Sequence, residues 1–269
     1  MLAGEIATTP FRELVSENYP QLPPNSNLIL ACHITGFYDV NRSTTLQNDN
    51  FELVRGWAES VAAAKLQGVL FHNGFSEKTC QTYANEYLTF VKISYKSQFN
   101  PNVYRYLVYL DFLEKQAYPP ANLFVTDVSD VTLVNNPFAD PLFIASPNTL
   151  FCGDEPTQLV NEWMLAHASS LRSQIKDYAD YEARFATETL LNCGIIGGAY
   201  PLFLAFLQEL CAIHRRYNSE NKTAYTGDMG AFNYLVRTKF NEHLHHGFPV
   251  NTVFKAYEES RKDCWFRHK

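Results

Sequence analysis

Two carboxylates three positions apart, Asp127 and Asp130, stand just after the apolar run Leu123-Phe124-Val125-Thr126. Hard divalent cations take oxygen ligands, and one or two carboxylates with phosphate oxygens make a usual Mg²⁺ or Mn²⁺ site. In open α/β sheets, ligands bind outside the carboxyl ends of the strands, which is where these acids would lie. The same residues also suit a solvated bend, because Asp and Ser favour turns for local hydrogen-bonding reasons. A second cluster, His243, His245 and His246 with Glu242, invites a zinc reading. No Cys stands beside it at a recognised ligand spacing, so a polar loop is the expectation. His33 and His72 each close an apolar run, where they could face a ligand or sit satisfied in the core. No G-x-x-x-x-G-K-S/T, G-x-S-x-G or G-x-G-x-x-G occurs. This argues against a P-loop NTPase, a serine hydrolase of the usual elbow type and a standard dinucleotide enzyme.

The elements that must position these groups alternate. Leu28 to Cys32 is a short apolar run that suits a buried strand, and Gly68 to Phe71 is a second, closed by the turn His72-Asn73-Gly74. Between them, Asp49 or Asn50 can cap a helix from Phe51 to about Lys65, with apolar spacing at Leu53, Trp57 and Val61. Ser76 opens a helix expected to reach about Tyr87, and Leu88 to Ile93 alternates as a third strand. Asn100-Pro101 starts a further helix, a cap followed by proline at its first position, and Pro119-Pro120 stops it. Asn122 to Thr126 is then the strand that ends on the acids. Such alternation predicts an α/β sheet with mostly parallel central strands.

Bulk properties set the frame. The chain has 269 residues, 46% hydrophobic and 19% charged, which suits one globular domain with a sizeable core. A formal charge of -6 leaves no basic footprint, so nucleic acid is not an expected partner, and an anionic ligand would need a metal or a few placed cations. Met1 to Pro20 has no apolar signal region and no stretch is apolar for long enough to span a membrane, so a cytoplasmic chain is expected. The scattered cysteines Cys32, Cys80, Cys152, Cys193, Cys211 and Cys264 form no C-x-x-C pair and read as reduced, packed thiols. Asn41-Arg42-Ser43 and Asn221-Lys222-Thr223 match glycosylation sequons and, without a signal peptide, read as chance matches.

The run Leu123 to Val131, followed by Asn136-Pro137-Phe138, resembles the acidic motif of GT-A-fold glycosyltransferases. Members carry D-x-D or a near variant at the end of a central strand, and its acids hold a divalent metal, usually Mn²⁺ or Mg²⁺, on the diphosphate of a nucleotide sugar. The spacing here is D-x-x-D, which leaves open which acid touches the metal and which the ribose. Arg105 stands where such enzymes place a cation against the nucleotide. Asn192-Cys193-Gly194 is similar to their N-x-G segment along the donor sugar, and Gly227-Asp228 to Asn233 to the acidic helix start facing the acceptor. The closing Trp265 to Lys269 resembles a C-terminal segment whose His, here His268, completes the metal shell. Together these motifs run from about Leu28 to the last residue.

The resemblance implies a single GT-A-like (Rossmann-like) domain over residues 1–269. Its sheet would be mixed and mostly parallel, flanked by helices, with a nucleotide-binding part at about 25–140 and a donor-sugar and acceptor part at about 141–269. The implied metal ligands are Asp127, Asp130 and His268, with Arg105, Asp127, Asn192 and Gly194 at the nucleotide sugar. Asp228 would be the catalytic base, with Asp154 and Glu155 as rivals. A base there removes the acceptor proton and gives inversion at the anomeric carbon, whereas with retention the same Asp would orient or stabilise the sugar. The implied reaction moves a hexose, with galactose in pyranose or furanose form named within that class, from a UDP-sugar to a saccharide or glycolipid acceptor in polysaccharide or glycoconjugate synthesis. Each assignment has a plainer alternative: a helix cap for Asp228, a tight turn for the glycines, a frayed tail for His268. Trp163 is the aromatic most suited to stacking on a sugar. Rival readings of the whole chain are a sugar nucleotidyltransferase, a non-catalytic carbohydrate-binding protein of the same fold, and a phosphatase or nuclease.

Overall fold

The computed structural model describes residues 19–39, 43–95, 99–217 and 227–269. The sequon residues Asn41, Arg42 and Asn221 to Thr223 lie outside them. The strands are β1 (Asn27–His33), β2 (Tyr38–Asp39), β3 (Thr44–Thr45), β4 (Gln67–His72), β5 (Leu88–Lys92), β6 (Asn122–Thr126), β7 (Val131–Leu133), β8 (Leu150–Gln158), β9 (Thr189–Ala199), β10 (Leu244–His246) and β11 (Phe266–His268). The α-helices are α1 (Glu52–Ala63), α2 (Glu77–Tyr83), α3 (Pro101–Glu114), α4 (Pro141–Ala145), α5 (Glu162–His167), α6 (Ser169–Gln174), α7 (Tyr178–Phe185), α8 (Tyr200–Tyr217) and α9 (Asp228–Leu235).

Seven strands form one sheet in the order β10-β8-β9-β6-β1-β4-β5. Strand β9 runs antiparallel to both neighbours, and every other adjacent pair is parallel. The mostly parallel strands are those the alternating pattern predicts, and β9 makes the sheet mixed, as the resemblance implies. Strands from both halves of the chain share it. Because β8 and β10 run in the direction of β6, their carboxyl ends meet on the edge where β6 delivers Asp127.

Strand β1 shows why both faces must be covered. Its side chains alternate: Leu28 and Leu30 enter one core with α3 and α8, while Ile29 and Ala31 enter the other with α1 and the C-terminal aromatics. Helix α3 lies so deep that its residues from Val103 to Leu110 are all buried. At the centre, Gly197 of β9 faces Phe124 of β6, and a Cβ there would overlap the Phe124 ring. The missing side chain lets the ring lie across the strand.

Local starts follow the sequence signals, and some ends do not. Asn100 caps α3 by accepting from the Asn102 amide at 2.9 Å, with Pro101 at the first position. Ser76 caps α2, but that helix stops at Tyr83 rather than near Tyr87. Asn85 intervenes, bridging to Leu88 and accepting from the Tyr87 amide, which turns the chain directly into β5. Asn50 accepts from the Glu52 amide at the start of α1, whereas Asp49 adopts a positive φ and accepts from the Ser76 amide. All six cysteines are free thiols. No helix among the described residues is long and apolar enough to cross a membrane.

His33 and His72 are both buried and pack against core aromatics. His33 stacks on Phe75, with ring centroids 5.3 Å apart. His72 Nδ1 accepts from the Phe75 amide at 3.2 Å, which leaves its proton on Nε2, 3.4 Å from Cys80 Sγ. Burial lowers the His72 pKa from 6.5 to about 4, with Lys92 acting in the same direction. A depressed histidine pKa adds stability that is complete above the unfolded value and is lost as pH falls between 6.5 and 4, because only the unfolded chain takes up the proton there. The unfolding free energy from urea melts is therefore expected to drop by roughly 2 kcal/mol through this residue between about pH 7 and pH 5. His72→Asn, which keeps an acceptor for Phe75, should show the shallower pH dependence. Parallel profiles for the two proteins would contradict the account.

Candidate active site

The site forms where β6 ends against the middle of β9. Trp57 Nε1 donates to Thr126 Oγ1 at 2.8 Å and fixes the end of β6. One residue later the Asp127 amide donates to the Gly194 carbonyl at 2.7 Å, so pairing with β9 continues past the strand and holds the first acid. The glycine segment is thus not a tight turn at a strand end. Residues 192–198 lie inside the 11-residue β9. Gly194 is there for space, since a Cβ would sit 2.6 Å from Asp127 Oδ2, 2.7 Å from His268 Cε1 and 2.9 Å from Asn192 Oδ1. The Asn192 amide is clamped from both sides, accepting from the Gly194 N–H and donating to Glu155 Oε1, each at 2.7 Å.

The C-terminus is an ordered strand. β11 pairs antiparallel with β7, immediately after the acidic turn, with His268 opposite Val131. Trp265 Nε1 donates to Asp140 Oδ2 at 2.8 Å, the His268 amide donates to Thr252 Oγ1 at 3.0 Å, and the Lys269 amide donates to the Asp130 carbonyl at 3.0 Å. Asp127, Asp130 and His268 consequently converge, each offering a ligand atom within 4.8 Å of the others. His268 Nε2 lies 4.0 Å from Asp127 Oδ2. Asp130 Oδ1 and His268 Nδ1 are buried without a hydrogen-bond partner, which is costly unless something else satisfies them. Burial pushes the His268 pKa down to about 4, so its imidazole is neutral, the form that binds metals. Two carboxylates and an imidazole fit a divalent ion such as Mn²⁺.

Arg105 reaches the same place from α3. Its Nη1 donates to Asp127 Oδ1, its Nε to the Asn102 carbonyl at 3.1 Å, and its Nη2 to Tyr106 Oη at 3.1 Å. A guanidinium is always charged, so it offsets one carboxylate in a largely desolvated pocket. Behind it, burial pushes the Cys193 thiol up to about 12 and keeps it neutral.

Asp228 begins α9 but does not cap it. The cap position belongs to Gly227, at φ 66°, and no side chain bonds there. Asn233 ties α9 to β9, accepting from the Leu191 amide at 3.0 Å and donating to the Leu191 carbonyl at 2.9 Å. That clip holds Asp228 against β9, where its Oδ1 lies 3.1 Å from His167 Nε2 and its Oδ2 3.7 Å from Cys193 Sγ. The sequence does not point to His167, because nothing along the chain joins a histidine at the end of α5 to an acid at the start of α9.

The rival acids lie one strand further out, on β8. Asp154 Oδ2 is 2.9 Å from His246 Nδ1, and Glu155 holds Asn192. Burial raises the Glu155 pKa, and the Asn192 bond works against that rise. The histidine cluster gathers no metal-binding group among the described residues, as His245 Nε2 turns to the Phe248 carbonyl instead.

No family model and no curated protein matches the chain by sequence. Among solved structures it is similar to the galactosyltransferase LgtC in complex with donor and acceptor sugar analogues, with a TM-score of 0.51 and 12% identity over 90% of this chain and 86% of that one. An active-site mutant of LgtC gives the same figures. At this identity the likeness is one of fold, and the fold is that of a GT-A-type glycosyltransferase.

The crowding at Gly194 can be measured. Gly194→Ala should fold but lose about 1–3 kcal/mol in urea melts, because three fixed neighbours must give way. Gly56→Ala, an exposed helix position where a Cβ would meet only Thr132 Cγ2 at 3.4 Å, should instead gain up to about 1 kcal/mol. Equal effects at both positions would show that Gly194 has no such packing role.

Proposed function

We propose that the chain transfers a hexose from a UDP-sugar to a saccharide or glycolipid acceptor, in polysaccharide or glycoconjugate synthesis. The observation that carries this reading is the convergence of Asp127, Asp130 and His268, two of their buried ligand atoms unsatisfied, at the carboxyl end of a central strand. The likeness in fold to a galactosyltransferase crystallised with donor and acceptor sugar analogues supports the same class, and galactose as the sugar. In this reading residues 25–140 bind the nucleotide, and residues 141–269 the donor sugar and acceptor.

The three residues would hold Mn²⁺ or Mg²⁺, which when bound supplies Lewis-acid stabilisation to the departing diphosphate. The remaining roles belong to the chain itself. Arg105, fixed by Tyr106 and the Asn102 carbonyl, orients Asp127 and presents positive charge to the donor. Gly194 lets the β9 backbone approach the sugar, and the doubly held Asn192 presents its remaining polar capacity to a hydroxyl. Asp228 takes the acceptor's proton as its oxygen bonds to the anomeric carbon and the bond to the diphosphate breaks. Such a single displacement inverts the anomeric configuration.

Calorimetric titration of UDP with Mn²⁺, with EDTA and with the Asp130→Ala variant tests the site. Binding should need the metal and weaken at least about tenfold without the Asp130 carboxylate, with His268→Ala behaving alike. UDP binding indifferent to metal and to both substitutions would sink the assignment. Asp228→Asn should keep UDP affinity and lose roughly a hundredfold or more in transfer rate, followed as UDP release from UDP-galactose in the presence of a saccharide acceptor.

A further inference from the structure

The chain has three tryptophans, and two of them are core: Trp57 and Trp265 are each 1% exposed. Trp163 is 45% exposed, on the short helix α5 that follows β8. Asn161 caps this helix by accepting from the Met164 amide at 3.0 Å. Four residues on, one helical turn away, stands His167, and the two rings stack with centroids 4.4 Å apart and planes 20° from parallel. His167 is buried, and its Nε2 is the atom 3.1 Å from Asp228 Oδ1. A half-exposed indole thus stacks on an imidazole whose Nε2 meets the candidate base.

We propose that Trp163 is a platform for a pyranose ring of the acceptor, one sugar residue away from the hydroxyl that reacts, so that the acceptor is at least a disaccharide. The inference rests on the glycosyltransferase reading above. A pyranose presents axial C–H groups on one face, which carry slight positive charge and pack on the negative face of an indole. A ring already ordered by stacking gives up little side-chain entropy when a sugar lands on it. No other tryptophan offers an open face, and α5 packs beside α9, which places this one next to Asp228.

Iodide quenching of the intrinsic fluorescence tests the platform on the intact protein. Only Trp163 is open to iodide, so the quenchable fraction should fall when lactose, maltose or cellobiose is added. It should be absent from the start in Trp163→Phe. Saturation-transfer NMR should show protein-to-sugar transfer with at least one of these disaccharides. Trp163→Ala should weaken that binding by roughly tenfold, and Trp163→Tyr should restore most of it. UDP binding with Mn²⁺ should be the same in all these variants. Quenching unchanged by all three sugars, with metal-dependent UDP binding intact, overturns the platform and spares the transferase. Disaccharide affinity untouched by Trp163→Ala overturns it equally. Loss of metal-dependent UDP binding in the unaltered protein would instead remove the reading beneath it.

Discussion

Asp127 is shared between a cation and a ligand site, and the geometry of the whole edge depends on that sharing. One oxygen takes the Arg105 guanidinium, while the other faces His268 at 4.0 Å. Two acids and an arginine in a half-buried pocket nearly balance, and the remaining negative charge suits a cation. The helix that carries Arg105 can lie so deep because Asp127, Tyr106 and two backbone carbonyls absorb its polar head.

The second structural requirement is the C-terminal strand. β11 has three residues, pairs with β7 and bridges to Asn251 at Phe266, a short ladder that needs side-chain anchorage as well. Its anchorage comes from Trp265 and Phe266, which pack around Phe124, Phe143 and Phe151 under the sheet. The aromatic core that supports β6 therefore also fixes the histidine above it. The placement of two of the candidate ligands is tied to core packing, because Asp127 lies three positions from the buried Phe124 and His268 two from the buried Phe266.

Beyond the acids, the edge extends outward along β9 and β8. Asn192 links Gly194 to Glu155, and Asp154 meets His246 on the outermost strand. The arrangement runs from Asp127, paired with Arg105, to Asp154, paired with His246, two part-exposed carboxylates each held by a cationic or ring-nitrogen partner.

Much of this edge was legible in the sequence. The apolar run before Asp127, the Asn100-Pro101 start of α3 and the Ser76 cap are local signals, and local signals survive folding because they act through neighbouring backbone groups. The alternating pattern predicts the mostly parallel strands for the same reason. Other features were decided only by tertiary structure. His268 reads as tail or ligand until its pairing with β7 is seen, and Asp228 as a cap until Asn233 turns its helix onto β9. Gly194 and Gly197 look like parts of a turn, yet their cause is the Asp127 carboxylate and the Phe124 ring, contributed from a segment distant in sequence. His167 carried no sequence signal at all. A cap needs three residues of chain, but a ligand set or a buried ion pair needs distant segments brought within a few ångströms, and only the packed core supplies that.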